Sequence, residues 1–126
     1  MEYKEFVQAV HQRTGLSRQE AADLARATLE ALSERLSEGE VIQLSAVLPE
    51  GLREYVRPGK KKQAERFGLD EFLQKVSEHT GLTLAETTPG VSAVLTSLRE
   101  AVPATEFRDV MSQLPGDFAG LVEAAS

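Results

Sequence analysis

The side chains of this 126-residue chain that could do chemistry are of three kinds, and the first is the histidines, His11 and His79. Any imidazole-based metal site or general base would have to use one of these two. Neither stands at a ligand spacing such as His-Glu-x-x-His, and the absence of cysteine excludes disulfides and thiolate metal sites. Both are read as solvent-facing helix histidines. The second kind is a basic run. Arg53, Arg57, Lys60, Lys61, Lys62 and Arg66 lie within fourteen residues of one another and could touch nucleic-acid phosphates or an acidic protein face. Gly59-Lys60-Lys61 fails as a phosphate-binding loop: the upstream Gly is missing, Lys61 stands where a hydroxyl is needed, and no strand precedes it. Aromatics near the run that could stack on bases are limited to Tyr55 and Phe67. A net charge of -6 also argues against a general nucleic-acid binder. The run is read first as a solvated connector and second as a nucleic-acid contact.

The third kind is the carboxylates, which come in matched pairs: Glu5 with Glu71, Glu20 with Glu86, Glu34 with Glu100, and Glu40 with Glu106. Paired acids could exchange protons or bind a cation. A simpler reading places Glu20, Glu40, Glu86 and Glu106 at helix-capping positions and the other four on polar helix faces. No nucleophile elbow, dinucleotide turn or kinase signature occurs. No catalytic residue, metal site or cofactor is therefore expected.

The pairing of acids reflects a repeat that spans the chain. Shifted by sixty-six positions, Phe6 falls on Phe72, Val10 on Val76, Thr14-Gly15-Leu16 on Thr80-Gly81-Leu82, and Leu48-Pro49 on Leu114-Pro115. About sixteen of some fifty aligned positions are identical, without a gap. The two units are residues 3–56 and 69–122, joined by the basic linker 57–68. Either unit alone would be marginal in size, so the two are expected to share one core in a single domain over residues 1–126.

Each unit reads as about four helices. Tyr3, Phe6, Val7 and Val10, matched by Leu69, Phe72, Leu73 and Val76, have the spacing of a first helix with one buried face. Gly15 and Gly81 then suit the left-handed conformation that closes a helix. Ser17-Arg18-Gln19-Glu20 and Thr83-Leu84-Ala85-Glu86 fit the capping box that opens a second helix. In the first unit this helix runs through Leu24, Leu29, Leu32 and Leu36. In the second, Thr87-Thr88-Pro89-Gly90 predicts a break, with a new helix capped by Thr88 and carrying Pro89 at its first position. Val41, Leu44 and Leu48, matched by Phe107, Val110 and Leu114, mark a third helix, which Leu-Pro terminates in both units. Leu52, Tyr55 and Val56, matched by Phe118, Leu121 and Val122, suggest a short fourth. The expected fold is all-α: a tandem repeat packed as one pseudo-two-fold helical bundle.

The polar start, Met1-Glu2-Tyr3-Lys4-Glu5, is unlike a signal peptide, and no apolar run approaches a membrane span, so a cytoplasmic location is expected. The lack of Asn, Cys and Trp leans toward a heat-adapted or high-GC source.

The succession of Phe-x-x-x-Val, Thr-Gly-Leu, a capped Ala/Leu helix and Leu-Pro, given twice over residues 3 to 122, resembles the prokaryotic family called domain of unknown function 2267. The residues that carry the resemblance are Gly15/Gly81, Leu29/Leu95, Leu32/Leu98 and Leu48-Pro49/Leu114-Pro115. It implies a small soluble helical protein with no established activity, and it supplies no catalytic residue. The expected function is a non-catalytic module that binds a protein partner or itself, through hydrophobic residues in a groove between the units. The alternatives are nucleic-acid binding through the linker, and a ligand-binding or enzymatic pocket near His11 or His79.

Overall fold

The computed structural model describes residues 1–57 and 66–122. These form six α-helices: α1 (Tyr3–Thr14), α2 (Arg18–Arg35), α3 (Glu38–Val47), α4 (Leu69–Thr80), α5 (Leu84–Ala101) and α6 (Ala104–Ser112). The short fourth elements are 3₁₀ segments rather than α-helices, at Arg53–Tyr55 and Gly116–Leu121. There is no strand among the described residues, so the fold is all-α.

Local chemistry sets the helix ends. Gly15 and Gly81 close α1 and α4 with φ of 74° and 78°, a left-handed geometry that costs little without a Cβ. Ser17 with Glu20 and Thr83 with Glu86 form reciprocal capping boxes, so α2 and α5 start where the hydroxyl–carboxylate spacing places them.

The long helices α2 and α5 touch at the centre, and α1 and α4 each pack against both. Their apolar faces supply Phe6, Val10, Leu24, Leu29, Leu32, Phe72, Val76, Val91, Leu95 and Leu98 to one contiguous core. Phe118, from the last 3₁₀ segment, meets Phe72 edge-to-face with ring centroids 5.1 Å apart. The helices α3 and α6 pack chiefly on each other.

The expected break at Thr87-Thr88-Pro89-Gly90 does not occur: α5 runs unbroken from Leu84 to Ala101 with Pro89 inside it. Three features account for this. The capping box anchors the first turn, and the Thr87 and Thr88 hydroxyls donate to the carbonyls of Thr83 and Leu84, one turn back. Pro89 and Ala85 both lie on the exposed side, where water can reach the Ala85 carbonyl that the proline cannot pair with. Gly90, finally, faces inward against α2. A Cβ there would lie 2.7 Å from Leu24 Cδ2, so glycine lets the two long helices approach closely. The Pro-Gly dipeptide serves helix packing, where its sequence signal suggested a turn.

Candidate functional site

Of the basic run, Arg53, Arg57 and Arg66 are among the described residues. Arg53 Nε donates to the Leu48 carbonyl at 2.8 Å and so holds the turn after α3. Arg57 is exposed, and it shares a shallow depression with Arg53, Glu50 and Glu54, whose carboxylates offset the two arginines. Arg66 is exposed, while Lys60, Lys61 and Lys62 lie outside the described residues. The two aromatics are occupied. Phe67 is buried beside Phe72 with the Lys75 ammonium over its ring, and Tyr55 is half-buried beneath Arg26.

His79 is exposed, as expected, and its Nδ1 bonds the Lys75 carbonyl. His11 departs from expectation: it is half-buried, and its Nδ1 bonds the carbonyl of Leu16 just beyond the helix end. Ser77, the residue that aligns with His11 in sequence, makes the corresponding bond to Leu82. Either side chain closes the turn after its helix, so His11 has a structural role that its residue type concealed.

A cleft of about 480 Å³ between α2 and α4 is lined by Asp23, Arg26, Glu30, Glu34, Lys75 and His79. It runs between one helix from each sequence unit, and charged side chains make up most of its lining. Most of its charges are paired: Lys75 with Glu34 at 3.3 Å and Arg26 with Glu30 at 3.5 Å. On the α1–α5 side, Arg13 makes a bidentate pair with Glu100 and also reaches Ser97 Oγ. Glu34 and Glu100 thus lie on polar faces, as expected, and link helices there.

The unusual chemistry sits where α3 meets α6. Ser37 caps α3 by accepting from the Glu40 amide, and Gln113 clamps this start to the far end of α6 with 2.8 and 3.1 Å bonds to Ser37. Val41, Leu44 and Leu48, like Phe107, Val110 and Leu114, are buried, and α3 packs on α6. Glu40 and Glu106 are enclosed with them, at 8% and 7% exposure. Their side chains do not complete capping boxes, which corrects the expectation for this pair. They face each other, and with exposed Asp109 they bring carboxylate oxygens within 4.8 Å of one another. One oxygen of each buried glutamate, Oε2 of Glu40 and Oε1 of Glu106, has no hydrogen-bond partner. Burial, the hydrogen bond to Glu40 and the negative charges of Glu40 and Asp109 push the Glu106 carboxyl up to about 7.

A signal for this pair was present in the sequence. Glu40, Leu44 and Leu48 recur every four residues, as do Glu106, Val110 and Leu114, so each glutamate begins a buried stripe. The capping pattern offered a competing account of the same residues.

The outer face of α3 carries apolar side chains beside the exposed Gln43. Ile42, Ala46 and Val47 face solvent, Ile42 at 55% exposure, and no charged residue occurs from Val41 to Pro49. Of the four large hydrophobic side chains exposed among the described residues, two are on this helix.

A family model described as uncharacterized conserved protein (DUF2267) matches residues 3–121, nearly the whole chain. No curated protein matches it. No helix among the described residues is long and apolar enough to cross a membrane. The chain belongs to the DUF2267 family.

Proposed function

We propose, taking that membership as the premise, that this protein is a non-catalytic helical module that associates with a second copy of itself through the outer face of α3. The observation that carries this reading is the exposure of Ile42, Ala46 and Val47 on an outward surface that holds no charge, Gln43 being its polar member. A helix packed on one side ordinarily presents polar residues to water. The occupant follows from charge. A chain of net charge -6 repels its own copies over most of its surface, whereas a two-fold contact made by the Val41–Pro49 segment brings no like charges together. The arginines near the linker are a weaker basis for function, because Glu50 and Glu54 stand beside them and Arg53 is engaged by the backbone.

The reading extends to the architecture, as an internally duplicated bundle with an approximate two-fold axis passing between α2 and α5. Support comes from residues that align in sequence and meet in space: Leu24 against Gly90, and Glu40 against Glu106. The matched bonds of His11 and Ser77 add to it.

The experiment is sedimentation velocity of the full chain over a wide concentration range, beside a variant carrying Ile42→Glu and Val47→Glu. The expected result is a wild-type dimer and a monomeric variant with unchanged helical circular dichroism. A wild-type chain that stays monomeric throughout would overturn self-association.

A further inference from the structure

We propose that Glu40, Glu106 and Asp109 form a binding site for a hard divalent cation of the Ca²⁺, Mg²⁺ or Mn²⁺ class, at the junction of α3 and α6. Three observations converge. The donor set is entirely carboxylate oxygen, which suits hard cations and offers no nitrogen or sulfur for softer ones. The oxygens lie within 4.8 Å of one another, a span that ligands on opposite sides of one ion reach at about 2.3–2.6 Å each. Independently of this proximity, Glu40 and Glu106 are each more than nine-tenths buried, and each keeps an oxygen without a hydrogen-bond donor. A buried carboxylate oxygen without a donor leaves acceptor capacity that a cation fills.

Placement adds to the case. Glu106 and Asp109 stand three residues apart on α6, so both reach the same side of the helix, and Glu40 closes the set from α3. Asp109 is exposed, which gives an ion a route in from solvent and leaves room for water to complete its coordination shell. The buried pair supplies fixed ligands on two helices that Gln113 and Ser37 already hold together. This site is separate from the outer face of α3, since Ile42 and Val47 point to solvent and Glu40 points inward.

The test uses the full chain, stripped of metal with a chelator and dialysed at pH 7.5. Isothermal titration and thermal unfolding are then followed with Ca²⁺, Mg²⁺ and Mn²⁺ in turn. Saturable binding of one ion per chain by at least one of them is expected, with a concentration-dependent rise in Tm. Asp109→Asn alters an exposed residue and leaves the core intact; it should weaken binding at least about tenfold, since carboxylate charge sets affinity at such sites. Glu40→Gln and Glu106→Gln should abolish it. If either variant fails to fold, terbium luminescence on wild type and on Asp109→Asn provides the comparison. No saturable binding by any of the three ions, or binding unaffected by Asp109→Asn, would overturn the site. The outcome is independent of dimerisation, which the variant with Ile42→Glu and Val47→Glu reads separately.

Discussion

The four helices α1, α2, α4 and α5 and the pair α3/α6 solve the same packing problem in opposite ways. In the first group apolar side chains other than Leu84 at the start of α5 mostly turn inward, and charges such as Arg13 with Glu100 and Lys75 with Glu34 bridge neighbouring helices at the surface. Its one buried orphan among the described residues is a neutral hydroxyl, that of Thr28. In the α3/α6 pair, two carboxyl groups are enclosed with one oxygen of each left unpaired, while isoleucine and valine face water. The first arrangement is what stability alone selects. The second costs stability, because the enclosed carboxyl groups lose hydration that their contact with each other replaces only in part. That difference makes α3/α6 the part of the molecule with a functional role to explain.

The comparison can be broken at three points. The largest effect is expected where the last 3₁₀ segment packs on the four-helix group: Phe118→Ala removes the ring packed edge-to-face on Phe72 and should cost about 3–5 kcal/mol in urea denaturation. A much smaller loss would show that the last 3₁₀ segment is peripheral to the core.

Next, replacing both Glu40 and Glu106 by Leu should raise stability by about 1–4 kcal/mol at pH 7.5 in the presence of chelator, as exchange of buried charged groups for apolar ones often does. A loss would mean that the pair stabilises the fold. The same comparison has a pH signature. Glu106 releases its proton near 4.5 when unfolded and near 7 when folded, so its stabilising contribution is complete below 4.5 and disappears as pH rises through 7. Metal-free wild type should therefore lose stability between pH 5 and 8 relative to the Leu variant, as measured by denaturant midpoints across that range.

The smallest expected effect tests the crossing of α2 and α5. Gly90→Ala places a methyl group against Leu24 and should destabilise by about 1 kcal/mol, the overpacking outweighing the gain in helix propensity. In a Leu24→Ala background the same change should be neutral or stabilising. Equal effects in both backgrounds would remove the close approach as the reason for glycine.

What the sequence determined by itself was whatever depends on neighbours along the chain. The apolar spacing of Phe6, Val10, Phe72 and Val76, the glycines that close α1 and α4, and the boxes Ser17–Glu20 and Thr83–Glu86 each act within a turn or two of helix, so the helices and most of their ends were legible. Only the tertiary structure decided which contacts form between distant segments. Pro89 and Gly90 predicted a break because a local rule penalises them, and the packing of Gly90 on Leu24 overrides that rule. Glu40 and Glu106 satisfied a capping pattern sixty-six residues apart; the apolar stripe that each begins places it on a buried face, and only the packing of α3 on α6 turns one toward the other. Burial is a property of what packs on a helix, and α6 on α3 is a contact the linear spacing of residues does not encode.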